Sequence, residues 1–328
     1  MQYRTIGDGD RAVEVSTLCL GTMLMGTLTD EATSFAILDR FLEAGGTFLD
    51  TANNYNAWTE GGHGRDSEDL VGRWLADRGV RDHVRIATKL GAAKKDPALP
   101  LANTPPTNFE GLGAEVVERQ ARESLRHLGV DRIDVLYGHV DDLETPIAET
   151  VGAFGKLQAE GVVGLSGISN VALWRLVEAR EEALRQGVPP YALVQQQLTY
   201  AYPTPDPDRH NWASPELLDY ARSTGVPGRP SLTVTAYSPL LQGAYVRRDK
   251  PLFGGYDHPT THARVRALHD VAAELGATPN QAALAWLLGG PVPVVPIVGA
   301  SSVAQLDEAL AACDLVLEPE LRARLDAV

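Results

Sequence analysis

The stretch Thr47-Phe48-Leu49-Asp50-Thr51-Ala52-Asn53-Asn54-Tyr55 follows the pair Gly45-Gly46 and turns from apolar to polar at Asp50. A short apolar run bounded by turn residues reads as a buried strand of a parallel sheet. Asp50 then ends the strand and Tyr55 lies in the loop beyond it. In a closed barrel of parallel strands that edge is where chemistry is assembled. Two readings are open for this segment alone. Asp50 caps a turn and Tyr55 packs its ring on a neighbour, or the carboxylate and the phenol face one site.

The same grammar repeats on both sides of it. Residues 1–14 alternate weakly around Gly7-Asp8-Gly9-Asp10, which predicts a β-hairpin. Val15–Leu20 reads as a buried strand ending in the turn Gly21-Thr22-Met23. Asp30 is placed to cap a helix that runs to Ala44 and stops at Gly45. Strands are expected at 46–51, 84–89, 133–139, 163–168, 192–197, 232–238 and 293–298. Helices are expected after them at 66–77, 112–128, 147–160, 171–186, 214–224, 261–275 and 302–312. Eight strand–helix units without a composition break predict a single domain, 1–328, with the (β/α)8 or TIM barrel fold and an N-terminal hairpin. The alternative is a doubly wound sheet. No Gly-x-Gly-x-x-Gly follows a strand, and Gly7-Asp8-Gly9 precedes one, which is the wrong order for a dinucleotide fingerprint. Residues 91–111 and 241–260 form long connections on the C-terminal side of their strands, where lids and substrate walls are built.

The chain of 328 residues is 44% hydrophobic and 22% charged, ample for a sizeable core. A net charge of −14 disfavours nucleic acid and anionic membrane as partners. Cys19 and Cys313 sit in apolar runs and read as buried free thiols. No signal-like segment or membrane-length apolar run is visible, so a cytoplasmic protein is expected. His258 and His262 stand four apart, but Pro259 is expected to interrupt a helix there, no third ligand accompanies them and no metal is expected.

Four strand ends or following loops contribute ionisable groups: Asp50, Tyr55, Lys89 and His139. Each has an ordinary explanation; Lys89 can snorkel to the rim and His139 can be a core histidine. Together they suit proton delivery. A lysine beside a phenol lowers its pKa from about 10, a carboxylate holds the lysine, and a histidine can donate to an oxygen gaining charge. Ser169, Asn170 and a glutamine of the sixth strand offer donors and acceptors for a planar amide, and Tyr237 a ring to stack on it. Strand alternation allows Gln195 with Gln197, or Gln196 alone, to face inward. Gly299-Ala300-Ser301-Ser302 opens a helix, either as a phosphate site or as an ordinary cap.

With these segments in place the chain resembles the aldo-keto reductase family over essentially its whole length. The resemblance is carried by Leu20-Gly21-Thr22-Met23, Phe48-Leu49-Asp50-Thr51-Ala52 with Tyr55, Ala87-Thr88-Lys89, and His139. It continues through Gly167-Ile168-Ser169-Asn170, Ala236-Tyr237-Ser238-Pro239-Leu240, and Gly299-Ala300-Ser301-Ser302 with Gln305 and Glu308. It implies an NADP(H)-dependent reduction of an aldehyde or ketone, a keto-sugar among the candidates. Tyr55 would be the general acid, Lys89 and Asp50 its support, and His139 the group orienting the carbonyl. Ser169, Asn170 and Gln195 would hold the nicotinamide carboxamide, Tyr237 would stack on the ring, and Ser238 and Leu240 would meet the pyrophosphate. Gly299, Ser301, Gln305 and Glu308 would surround the adenosine end, with Gly21, Thr22 and Met23 also near the cofactor. Trp58 joins Tyr55 and His139 on the substrate side, with Met23, Tyr200 and Tyr202 as further wall candidates.

Relatives often place Arg or Lys near Ser301 or Ser302 for a 2′-phosphate, and here both positions are uncharged. The resemblance implies NADPH as the preferred cofactor, the missing charge leaves NADH as the alternative, and Arg247, Arg248 or Lys250 is the expected source of charge. The competing functions are an alcohol or polyol dehydrogenase running oxidatively on NAD(P)⁺, a non-catalytic nicotinamide-binding regulatory module, and a barrel hydrolase. The sequence leaves the substrate and the oligomeric state open.

Overall fold

A computed structural model describes residues 1–328 except 60, 97, 100–105, 207–209, 248 and 254. Arg248, one of the three expected 2′-phosphate partners, lies outside the described residues. The chain opens with strands β1 (Tyr3–Ile6) and β2 (Val13–Ser16), paired antiparallel with Tyr3 opposite Ser16 and Ile6 opposite Val13. Gly7 turns the corner at φ +74°, a conformation that favours glycine. A methyl group there would meet Leu165 Cδ2 at 2.7 Å, so the turn is seated directly on the barrel floor.

Eight parallel strands follow and close on themselves in the order β10-β3-β4-β5-β6-β7-β8-β9. They are β3 (Cys19–Gly21), β4 (Phe48–Asp50), β5 (Arg85–Leu90), β6 (Ile133–Gly138), β7 (Val163–Ser169), β8 (Leu193–Gln197), β9 (Thr233–Tyr237) and β10 (Val294–Gly299). This is the (β/α)8 barrel with its N-terminal hairpin. Closure sets Gly299 beside Gly21, and Gly21 beside Asp50. Alternation divides each strand between two cores. Cys19, Phe48, Ala87, Val135, Tyr137, Leu193 and Val295 fill the interior, which Ile6 and Val15 of the hairpin plug from below. Their chain neighbours, such as Leu20, Leu49, Ile86 and Leu136, face outward into the layer shared with the helices.

The helices are α1 (Glu31–Glu43), α2 (Asp66–Arg78), α3 (Ala114–Leu128), α4 (Ile147–Ala159), α5 (Leu173–Gln186), α6 (Pro215–Arg222), α7 (Pro259–Glu274), α8 (Pro279–Leu288), α9 (Val303–Ala311) and α10 (Pro319–Asp326). Asp30 caps α1 by accepting from Thr33 N at 2.9 Å. Helix α2 is anchored by Trp74, fully buried, whose indole N–H donates to Asp39 of α1 at 2.8 Å. Burying such a side chain stabilises the fold by about 1.5–3 kcal/mol.

Three departures from the sequence reading have physical causes. Val15–Leu20 is not one strand, because β2 ends at Ser16 and β3 begins at Cys19. The Ser16 hydroxyl accepts from Thr47 N and Phe48 N at 3.0 and 3.3 Å and donates to Leu18 O at 2.7 Å, which carries the chain from hairpin to barrel. Helices α8 and α10 went unassigned. Helix α8 is buried on most of its circumference and shows no polar stripe, although its capping box of Thr278 and Gln281 is a legible signal. Helix α10 buries only Leu325. Pro259, which was expected to interrupt a helix, instead occupies the first turn of α7, where its missing N–H costs nothing.

Candidate active site

The C-terminal mouth of the barrel gathers Asp50 from the end of β4, Lys89 from β5 and Gln195 from β8. All three are buried and point inward, as alternation from Phe48, Ala87 and Leu193 requires. Lys89 Nζ donates to Asp50 Oδ2 at 2.5 Å, to the Thr51 carbonyl at 2.8 Å and to the Tyr55 hydroxyl oxygen at 2.7 Å. Its three donors are thus all used. The other Asp50 oxygen accepts from Gln195 Nε2 at 2.9 Å. Gln195 is therefore the inward residue, while Gln196 points away and binds the backbone of Asn170, Val171 and His210.

Tyr55 stands edge-on to two rings. His139 lies 5.8 Å away between centroids and Trp58 6.2 Å, both at 77°. Burial pushes the Tyr55 phenol up to about 12; Lys89 pulls against it and Asp50 adds to the rise. The expected net lowering by Lys89 is thus reversed, because desolvation of the phenolate outweighs the ammonium. For Lys89 burial works downward, but Asp50 and Tyr55 prevail and hold its pKa above the ordinary value. His139 is driven down to about 3 by burial and by the Lys89 charge, so its imidazole is neutral at pH 7. Its Nδ1 is buried without a partner in the protein.

A second cluster adjoins the first. The side-chain amide of Asn170 donates to the His139 carbonyl at 2.8 Å and to Ser169 Oγ at 3.1 Å. Its oxygen accepts from the Tyr237 hydroxyl at 2.9 Å. Asn170 adopts φ +57°, and Ser238, Leu241 and Gln242 at the end of β9 adopt +51°, +46° and +56°. Left-handed non-glycine residues concentrated in one turn mark a backbone held for a purpose, and such turns form anion-binding concavities. Gly299 is exposed, and a side chain there would meet nothing within 4 Å. These features fit an extended dinucleotide: polar strand ends beside Tyr237, a strained turn after β9, and open backbone at the end of β10.

The remaining expected residues have varied surroundings. The Thr22 hydroxyl is turned outward, onto the Asp50 carbonyl at 3.1 Å and Ser67 at 2.8 Å. Met23 is exposed on the loop after β3. Ser301 donates through N and Oγ to Gln305, and Ser302 caps α9. The Glu308 carboxylate accepts from Thr278 Oγ1 at 2.6 Å and thereby ties α9 to the cap of α8. Leu240 is half-buried within the turn after β9. Arg247 is paired with Asp249. Tyr200 belongs to the fold rather than to a substrate wall: it is wholly buried and donates to Leu325 O at 2.9 Å. Tyr202 packs against the guanidinium of Arg264, 4.4 Å from the ring centre. His258 and His262 take separate partners, Tyr202 O and Asp257. Among the described residues no group of three or more His, Cys, Asp or Glu is placed to hold a metal ion. No helix among them is long and apolar enough to cross a membrane.

The sequence reading missed the Thr51 carbonyl as the third acceptor for Lys89, which no side-chain pattern can signal. It also missed Asn54, near Tyr55, whose buried Oδ1 has no partner.

Comparison with known proteins gives a consistent result. The sequence model described as "Aldo/keto reductase family" matches residues 17–328. The chain is 33% identical to the uncharacterized oxidoreductase YrpG of Bacillus subtilis (strain 168), over all of this chain and 96% of that protein. It is 30% identical to norsolorinic acid reductase A of Aspergillus parasiticus, over 99% of this chain and 81% of that protein. It is 29% identical to the aryl-alcohol dehydrogenase GME11368 of Pestalotiopsis microspora, over 94% of this chain and 77% of that protein.

Proposed function

The chain belongs to the aldo/keto reductase family, and from that premise we propose that it reduces an aldehyde or ketone to the alcohol, with NADPH preferred over NADH and Tyr55 as the general acid. The observation that carries this reading is the Lys89 ammonium, which spans from the Asp50 carboxylate at 2.5 Å to the Tyr55 hydroxyl at 2.7 Å.

A reduced nicotinamide, when bound, supplies the hydride for the carbonyl carbon. The protein's part is the proton and the geometry. Tyr55 accepts a hydrogen bond from Lys89, so its own O–H is free to donate toward the mouth. Burial keeps that phenol protonated, with its pKa about 12, until a more basic alkoxide forms beside it. Lys89 then stabilises the phenolate left behind, and Asp50 balances Lys89. His139, neutral, offers an N–H to the same oxygen without competing as an acid. Ser169, Asn170 and Gln195 are the residues to hold a carboxamide, Tyr237 to stack on the ring, Ser238 and Leu240 to meet the pyrophosphate. Gly299, Ser301 and Gln305 are the residues to surround the adenosine end. The exposed Trp58 is the substrate wall next to Tyr55.

The test is NADPH consumption, followed by its absorbance, over aldehydes, ketones, keto-sugars and quinones, with NADH in parallel. Turnover of at least one class supports the proposal. Cofactor binding without oxidation by any of them overturns it. The name of the Pestalotiopsis relative favours a second reading, oxidation of an alcohol with NADP⁺ or NAD⁺, which the reverse assay separates.

A further inference from the structure

Lys89 and Asp50 face into the barrel, so their chain neighbours Thr88 and Thr51 face out, toward α2, and are equally buried. What meets them is the pair Ser67-Glu68 in the first turn of α2. Ser67 Oγ lies 2.8 Å from both Thr22 Oγ1 and Thr51 Oγ1 and donates to the Thr22 carbonyl at 2.9 Å. Thr88 Oγ1 donates to Glu68 Oε1 at 2.6 Å. Arg65 Nη1 stands 3.4 Å from the other Glu68 oxygen.

The protons can be counted. Ser67 has one for three oxygens within reach, so at least one of the Thr22 and Thr51 hydroxyls donates to Ser67 Oγ. One serine thus ties the ends of β3 and β4, and one carboxylate ties β5, all to the same helical turn. Helix-to-strand packing alone does not call for this. An apolar side chain of the same volume would fill the space, whereas a wholly buried carboxylate is unfavourable unless its partners offset the lost hydration. The bonded hydroxyls also sit one residue from Asp50 and from Lys89. The Thr51 carbonyl, on the same residue as one of those hydroxyls, accepts from Lys89 Nζ at 2.8 Å.

We propose that Ser67 and Glu68 are positioning residues for the Lys89–Tyr55 pair, acting from outside the barrel through the hydroxyls of Thr51 and Thr88. The proposal rests on the roles assigned to Lys89 and Tyr55 above. Thr88→Val keeps the branched shape and removes the hydroxyl; Thr88→Ser keeps the hydroxyl. Thr88→Val should lower kcat for carbonyl reduction about tenfold, because a displaced catalytic pair loses alignment that binding does not sense. The NADPH Kd, read from quenching of tryptophan fluorescence, should stay within about twofold, and Thr88→Ser should hold kcat within about twofold. Glu68→Met should reproduce the loss seen in Thr88→Val. Thr88→Val with a lowered melting temperature but wild-type kcat overturns the proposal. Should Thr88→Val not fold, Ser67→Ala gives the same reading, and its wild-type kcat would be equally fatal. A wild-type protein that reduces no carbonyl fails the proposed function and takes this inference with it. An active wild type with unaffected variants defeats this inference alone.

Discussion

Gln195 and Asp50, 145 residues apart in the chain, meet across the barrel mouth, with Gln195 Nε2 donating to Asp50 Oδ1 at 2.9 Å. Because Lys89 takes the other oxygen, the carboxylate is fixed in plane and its charge is aimed at the ammonium. The Lys89 geometry toward Tyr55 is thus set from both sides, and the consequences are measurable.

Tyr55→Phe removes the proposed proton donor and leaves the ring in its cage between His139 and Trp58. Carbonyl reduction should fall by roughly 10²- to 10⁴-fold, the usual worth of a positioned acid. NADPH binding, followed by tryptophan fluorescence, should persist. Full turnover in this variant would remove Tyr55 from the mechanism.

Lys89→Met strips the Asp50 carboxylate of its cation where both side chains are almost wholly buried. Leaving one charge of such a pair unmatched costs about 3–5 kcal/mol. Urea unfolding should show a loss of that order, and the double variant Asp50→Leu, Lys89→Met should recover part of it. A loss as small as that of a surface pair, below about 1 kcal/mol, would mean that the interior is wetter than its burial indicates.

The His139 pKa of about 3 against an ordinary 6.5 has a definite sign. Below pH 6.5 the unfolded chain takes up a proton that the folded protein refuses until about pH 3. Stability is therefore complete above 6.5 and is lost progressively as pH falls toward 3. His139→Gln should flatten that part of the curve of urea midpoint against pH. Identical slopes for variant and wild type would place His139 in water rather than in the site.

Gly7→Ala forces a side chain into positive φ and onto Leu165, 2.7 Å from its Cδ2. Gly9 also has positive φ, +56°, but open space around it. Gly9→Ala should cost about 1–2 kcal/mol, from backbone conformation alone. Gly7→Ala should cost clearly more, because either the hairpin lifts off the barrel floor or the buried Leu165 side chain must give way. Equal melting temperatures for the two variants would show that the hairpin is not seated on Leu165.

Much of this molecule was written locally. The recurrence of a short apolar strand, a polar strand end and a capped helix gave the barrel, because burial on two faces and helix capping are properties of neighbouring residues. Asp50, Lys89 and His139 were visible for the same reason: each interrupts an apolar run where a strand ends, and Tyr55 lies in the loop just beyond Asp50. Other features needed the closed fold. Alternation left two registers for Gln195 and Gln196, and only the placement of β8 beside β7 and β9 chose between them. The Tyr55 phenol is pushed up rather than down because desolvation sums over atoms brought from distant segments, while the sequence shows only the partner charge. Helix α8, apolar on nearly every side, carries no stripe from which a periodic reading could find it. The seam of Thr22, Thr51, Ser67, Glu68 and Thr88 likewise has no linear signature, since its hydroxyls become partners only when three strand ends are drawn against one turn of α2.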